Sequence, residues 1–166
     1  MAWTCLLHPV SYIDPMKQDV AAVEIRGILP ANNGVAVFVG NDEKVFVIQV
    51  EQQMGAVIGM FLRDTPKERP LTHDLFIHLL TAFGISVERV VITELKNSTY
   101  FARLILQQQN ELGRKIVELD ARPSDCLALA TAQKRPIYVT RSLLDQVEDM
   151  SEYLARMSES GGESAD

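Results

Sequence analysis

Three charged residues lie close together in the segment L-D-A-R-P-S-D-C-L-A-L-A: Asp120, Arg122 and Asp125. Carboxylate oxygens are the ligands that Mg²⁺ or Mn²⁺ accepts, and an arginine can contact a phosphate group through two hydrogen bonds. These residue types within six positions therefore suit a metal ion, a phosphate group or acid–base chemistry.

The elements around these charges predict a corner between a strand and a helix. Residues 115–120 (K-I-V-E-L-D) have strand character, and Pro123 with Ser124 suits the first turn of a helix. Residues 126–130 are apolar on every side, which predicts a buried helix. A structural alternative stays open, in which Ser124 and Asp125 cap the helix and Arg122 pairs with Asp120 across the turn.

A second helix start carries further candidates at residues 70–74 (P-L-T-H-D). Thr72 is the predicted N-cap, and Asp74 lies in the first turn. His73 can supply a base and Asp74 a further metal ligand, although both can equally belong to a simple helix cap. The helix that follows shows an apolar stripe, predicted to be buried, at Leu75, Phe76, Leu79, Leu80 and Phe83.

A third acidic residue, Glu51, opens a predicted helix over residues 51–62. We take Asp120, Asp125 and Glu51 as the candidate ligands of a Mg²⁺ or Mn²⁺ ion. The sequence contains no H-x-x-x-H or C-x-x-C pair, so a zinc site is not expected.

The remaining pattern predicts an α+β domain. Strands are expected at residues 20–29, 35–39, 45–50, 87–95, 99–106 and 136–139. Residues 107–113 are expected to form a polar connection, and one last helix is expected from Thr140 to Leu154. The order β-β-β-α-α followed by β-β-β-α indicates a duplicated β(3)-α(2) repeat. We expect the halves to share one core under a curled, mainly antiparallel sheet covered by helices.

Composition limits the class of protein. The chain has 166 residues, a net charge of −6 and two cysteines. No apolar run is long enough for a membrane span, and free thiols in a reducing cytoplasm are expected. We divide the chain into an arm (residues 1–17), a domain (18–157) and a disordered acidic tail (158–166). The acidic balance argues against a protein that coats nucleic acid electrostatically.

Four blocks carry a resemblance to a known family: R-P-L-T-H-D-L, N-S-T-Y-F-A-R-L, L-D-A-R-P-S-D-C-L-A-L-A and P-I-Y-V. In order and spacing they resemble the bifunctional nuclease family. The resemblance implies the duplicated fold, a homodimer and, from plant members, hydrolysis of both RNA and DNA. One departure concerns the acid that opens the first helix in the family, because Gln53 stands at its position and Glu51 lies two residues earlier.

Two hypotheses follow. The first is a metal-dependent nuclease in which Asp120 and Asp125 hold metal or exchange protons, Arg122 contacts the phosphate, and His73 with Asp74 assists. The second is a dimeric, non-catalytic module that binds a ligand or a partner through the same residues. A nuclease is expected to have a basic cleft around these carboxylates, whereas a binding module does not require one.

Overall fold

The structure, a computed structural model, describes residues 19–160, so the predicted arm with Cys5 and residues 161–166 of the tail lie outside the described residues. Within residues 19–160, seven strands and five helices form an α+β fold, as predicted. In chain order they are β1 (Val20–Ala31), β2 (Gly34–Gly40), β3 (Val45–Val50), α1 (Gln52–Leu62), α2 (Thr72–Ala82), β4 (Ile85–Lys96), β5 (Thr99–Asn110), β6 (Gly113–Ala121), α3 (Pro123–Ala132), β7 (Ile137–Thr140), α4 (Arg141–Gln146) and α5 (Ser151–Ser160).

The strands form a single mixed sheet in the order β3-β2-β1-β7-β4-β5-β6. Every neighbouring pair is antiparallel except β4 with β7, which is parallel. The prediction of a mainly antiparallel sheet is therefore confirmed. The order β-β-β-α occurs once before and once after α2, and an origin by duplication stays a prediction.

The sheet is curled, because its two outermost strands approach each other. Strands β3 and β6 are last in the order on opposite sides, yet residues of both line one cavity of about 590 Å³. The ring of Phe46 on β3 lies 5.9 Å, between centroids, from the ring of Tyr100 on β5. The concave face thus encloses the core, and the gap between the edges stays open as a cleft.

Two hairpins in the second half of the chain are tighter than the sequence suggested. Asn97 and Ser98 have φ angles of 49° and 60° and join β4 to β5, as a two-residue turn with left-handed residues does. The predicted polar connection at residues 107–113 is wrong, since β5 runs to Asn110 and β6 starts at Gly113. Cross-strand pairing from Gln107 to Asn110 continues the ladder although the residues are polar.

Helices α1 and α3 cover the concave face. Ile58 of α1 and Leu127 of α3 are fully buried in one apolar cluster with Val37 and Val39 of β2. The buried, apolar α3 helix is therefore confirmed. Cys126 is a free thiol inside it, and burial raises the pKa of Cys126 to about 12, so this thiol is protonated and unreactive at neutral pH.

The predicted burial of the α2 stripe is wrong in large part. Only Leu80 of this stripe is buried, while Phe76 is half-buried. Leu75, Leu79 and Phe83 are exposed by 64%, 53% and 66% of their surface. The helix packs on the core through Phe76, Ile77 and Leu80, and this leaves the side with Leu75, Leu79 and Phe83 exposed.

The predicted last helix is two helices. Chain direction changes after Val147, and the Asp149 carboxylate accepts hydrogen bonds from the backbone N–H groups of Val45 and Ser151. The second helix, α5, stacks Tyr153 on Phe38 with ring centroids 6.1 Å apart and ends at Ser160, inside the predicted tail.

None of the helices in residues 19–160 combines the length and the apolar character that crossing a bilayer requires. The cytoplasmic location stays a prediction.

Candidate active site at two helix starts

The curl of the sheet determines where the candidate residues meet. Strands β3 and β6 are its outer strands. Strand β3 leads directly into α1 and β6 into α3, and these two helices pack against each other. Glu51 is the N-cap of α1 and Arg122 is the N-cap of α3, so both lie at the same end of the gap. The start of α2, with His73, completes this end because α2 packs on α3.

Two adjoining cavities occupy the gap. The first, of about 590 Å³, lies among β3, the β4–β5 turn and the start of α3. The second, of about 570 Å³, lies among the starts of α1, α2 and α3. Five residues line both cavities and so mark the boundary between them: Glu51, Met54, Asp120, Ala121 and Arg122.

Asp125 is the centre of a three-residue contact in the second cavity. Its Oδ1 lies 3.1 Å from Nε2 of His73, and its Oδ2 accepts a hydrogen bond of 2.8 Å from Nε of Arg122. A second Arg122 nitrogen, Nη2, lies 3.3 Å from Oδ1. The structure thus brings three predicted site residues together, although His73 and Asp125 are 52 positions apart in the sequence.

The charge states of this contact follow from its geometry. Burial acts to raise the pKa of Asp125, but hydrogen bonds from Arg122 and His73 outweigh it and hold the pKa below its usual value. The carboxylate is therefore ionised at neutral pH and can only accept, so Nε2 of His73 carries the hydrogen. In the neutral imidazole this leaves Nδ1 as the atom that can take a proton.

Two residues that the sequence did not identify position His73. Phe61 of α1 contacts the imidazole edge-on, with 6.5 Å between ring centroids, and Nζ of Lys67 lies 4.0 Å from the centre of the same phenyl ring. Lys67 in turn donates a hydrogen bond of 2.8 Å to Asp74. No spacing rule connects Phe61 to His73, because their contact depends on how α1 packs.

Asp74 caps its own helix rather than facing the cavities. Its Oδ2 accepts a 2.8 Å hydrogen bond from the N–H of Leu71, and its other oxygen is bound by Lys67. Leu71, not Thr72, is the N-cap, so the predicted cap is wrong by one residue because Asp74 takes the capping role. Neither cavity includes Asp74 in its lining.

Asp120 has a different partner from the one considered in the structural alternative. It is the direct cross-strand neighbour of Arg103, which donates a 3.0 Å hydrogen bond to its carboxylate. Residues opposite each other on paired strands lie on the same face of a sheet. The alternative pairing of Arg122 with Asp120 is therefore wrong, and the N-cap of α3 is Arg122, whose side chain makes no capping hydrogen bond.

The donor set does not fit a preformed metal site. Glu51, Asp120 and Asp125 border the second cavity, yet no three His, Cys, Asp or Glu side chains in the described part of the chain are close enough to share an ion. The oxygens of Asp125 and Asp120 are already held by arginine and histidine. Gln53, at the position of the family acid, lines this cavity as well.

The lining of both cavities is not basic. Among the described residues, Arg122 is the single arginine or lysine that lines either cavity, against the carboxylates of Glu51, Asp120 and Asp125. The scattered basic residues of the sequence are not gathered here. Apart from His73, the rest of the lining is mostly apolar or hydroxyl-bearing, which suits a small contact with one phosphate rather than a long charged groove.

Comparison with known proteins now identifies the class. The bifunctional nuclease domain matches residues 37–152, and the chain belongs to this family. The chain is similar to the uncharacterized protein MT1877 of Mycobacterium tuberculosis strain CDC 1551 / Oshkosh, with 33% identity over 129 residues, which is 77% of this chain and 74% of that protein. The uncharacterized protein Rv1829 of strain H37Rv matches with the same identity and coverage. Neither relative's name states an activity.

The Asp125 contact predicts a pH dependence of stability. Because the folded pKa of Asp125 is depressed, its contribution is complete above the unfolded pKa, near 3.9, and is lost as pH falls through the lower folded value. Acidification below about pH 4 should therefore lower the melting temperature of the wild type more than that of Asp125→Asn. Thermal melts from pH 7 to pH 2.5 test this, with Glu111→Gln in an exposed turn as the control. Parallel curves for wild type and Asp125→Asn would contradict it.

Proposed function

We propose that this protein is a nuclease that hydrolyses phosphodiester bonds of RNA or DNA at the Asp125–His73–Arg122 contact. The observation that carries the proposal is this contact itself, at 3.1 Å and 2.8 Å, on the wall of a cavity. A carboxylate that orients an imidazole beside a guanidinium is an arrangement that supports proton transfer next to a bound phosphate. Membership of the bifunctional nuclease domain family supports the same activity.

In this mechanism each residue has one task. Nδ1 of His73 takes the proton from a water molecule as the water oxygen attacks phosphorus. The bond to the leaving oxygen breaks, and that oxygen takes a proton from solvent water. Asp125 keeps the imidazole in the orientation and tautomer that leave Nδ1 free to accept. Arg122 uses the N–H groups that do not face Asp125 to hold the phosphate and to stabilise the charge that develops on its oxygens.

The mechanism uses protein side chains alone. The sequence predicts Mg²⁺ or Mn²⁺ at Asp120, Asp125 and Glu51, but these donors do not converge. No step of the mechanism is therefore assigned to an ion. When bound, such an ion would supply Lewis-acid stabilisation of the phosphate.

The second candidate function is a non-catalytic module that binds a ligand or partner through the same cavities. One observation favours it: the lining carries three carboxylates, Glu51, Asp120 and Asp125, against one arginine. A surface of this charge does not attract long nucleic acid from solution. The two functions differ in one respect that can be measured, which is whether phosphodiester bonds are broken.

The homodimer stays part of the proposal, and the exposed stripe on α2 supports it. Leu75, Leu79 and Phe83 follow one another at intervals of four residues, so they share one helix face. Without a partner this apolar face is exposed to water. We expect light scattering to give twice the chain mass for the wild type and the single mass for Leu79→Glu. Leu112→Glu, at an exposed turn elsewhere, is the control and should leave the mass unchanged. A monomeric wild type at micromolar concentration would contradict the dimer.

The experiment for the nuclease proposal uses purified full-length protein and labelled single-stranded RNA and DNA. We expect cleavage by the wild type and its loss in Asp125→Asn. The reaction is run with Mg²⁺, with Mn²⁺ and with EDTA. Because the candidate metal ligands do not converge, we expect cleavage to persist in EDTA, whereas loss on chelation would support the Mg²⁺ or Mn²⁺ ion instead. A wild type that cleaves neither polymer under any of the three conditions would overturn the nuclease proposal and leave the binding module.

A further inference from the structure

The first cavity has no task in the mechanism above, although it adjoins the phosphate-binding residue. It holds about 590 Å³, within the range of pockets that take a small organic ligand. Its lining includes Arg122, which also lines the second cavity. A ligand whose charged group rests on Arg122 in the second cavity can therefore extend into the first without leaving the protein surface.

The chemistry of this cavity suits a flat, aromatic group. Tyr100 at the start of β5 contributes an aromatic ring, and Met54 contributes a polarisable side chain. Burial raises the pKa of Tyr100, so its hydroxyl stays protonated at neutral pH and remains a hydrogen-bond donor. Ser98 and Thr99 in the adjoining turn add hydroxyl groups.

The opposite wall of the cavity offers unpaired backbone groups. Within residues 19–160, β3 has β2 as its single strand neighbour, so its other edge is open. Val45 uses this edge, because its C=O accepts from Met150 and its N–H donates to Asp149. Alternation along an antiparallel strand puts the N–H and C=O of Val47 and Gln49 on the same edge, and both residues line the cavity.

From this combination we infer that the first cavity holds the base of one unpaired nucleotide whose phosphate lies on Arg122. The inference rests on the proposed function, since it identifies the substrate class of the same site. An aromatic ring on one side and open backbone donors and acceptors on the other match the face and the edge of a nucleobase. A base inside a duplex is stacked and paired, so the substrate is single-stranded.

A binding measurement tests this with a non-hydrolysable probe. The ligand is a fluorescein-labelled hexathymidylate with phosphorothioate linkages, and its partner is the same backbone with abasic sugars. Wild-type protein, followed by fluorescence anisotropy, should bind the abasic strand about tenfold or more weakly, as the loss of a stacked base predicts. Equal dissociation constants for the two strands, or no binding of either, would overturn the inference.

Salt dependence provides a second readout of the same complex. With one arginine lining the two cavities of the described structure, only one or two phosphates can be neutralised. The slope of log K against log salt for a single strand should then be about −0.7 to −1.4. A slope near −4 would mean that many phosphates are contacted elsewhere, and would contradict a site that takes one nucleotide.

A matched pair of variants assigns the effect to the cavity. Tyr100→Leu removes an aromatic ring from the lining, whereas Tyr153→Leu removes one from α5, outside both cavities. Tyr100→Leu should bind the hexathymidylate about tenfold more weakly and leave abasic binding unchanged, and Tyr153→Leu should change neither. Binding that depends on the base, without any cleavage, would contradict the proposed hydrolysis and support the base-binding cavity. Cleavage with equal binding of both strands would support the hydrolysis and contradict the base-binding cavity.

Discussion

The His73→Gln variant is expected to cleave phosphodiester bonds about 10²- to 10⁴-fold more slowly than the wild type, the loss typical of removing a general base. The side-chain amide of glutamine can still donate a hydrogen bond to Asp125, so the local structure is retained. It cannot take a proton from water, so the chemical step is the part that fails. The measurement is the single-turnover rate constant with saturating enzyme, which excludes effects on substrate binding.

His78→Gln is the matched control for this prediction. His78 lies five residues further along α2, is exposed and lines neither cavity. Its replacement should leave the rate constant within a factor of two and the melting temperature unchanged. Equal losses in the two variants would show that the imidazole of His73 has no special role, and equal rates for His73→Gln and wild type would have the same meaning.

The largest effect on stability is expected from Leu127→Ala. Leu127 is fully buried in the core cluster, two residues after Asp125 on α3. Truncating a buried leucine costs about 2–5 kcal/mol, because apolar contacts are lost and a cavity remains. For a chain of this size the melting temperature should fall by about 4–20 °C. Differential scanning calorimetry measures both quantities.

Leu112→Ala in the turn between β5 and β6 is the control, since this leucine is 97% exposed. Its replacement should change the free energy of unfolding by less than about 0.5 kcal/mol. At 15 °C, well below the transition, Leu127→Ala should retain most of the catalytic rate because it removes packing and no reacting group. If Leu127→Ala melted like the wild type, the description of α3 as the buried support of Asp125 would be wrong.

Much of the fold could be predicted from local pattern. The short apolar run V-F-V-I-Q-V and the helical spacing of Met54, Val57, Ile58 and Phe61 indicated β3 and α1 correctly. The break in the last helix was missed, since the Asp149 carboxylate bonds to the distant N–H of Val45. Local propensity contains no information on such a long-range bond.

The sequence predicted which residues form the candidate site better than it predicted their contacts. Sequence alone identified His73, Arg122 and Asp125, because helix starts concentrate polar residues. It could not show that Asp120 pairs with Arg103, because that depends on the register of β5 with β6. The exposed face of α2 was also missed, since an apolar stripe predicts an interface but does not say whether it lies within one chain.

The proposed hydrolysis depends on His73 and Asp125 acting as one unit, and a double-mutant comparison tests this most directly. Single-turnover rate constants are measured for His73→Gln, Asp125→Asn and the double variant, with melting temperatures recorded alongside. Residues that act together lose the activity once, so the double variant should be no slower than the slower single variant within about threefold. Losses that multiply in the double variant, or a loss in Asp125→Asn that disappears once its lower melting temperature is allowed for, would contradict the account.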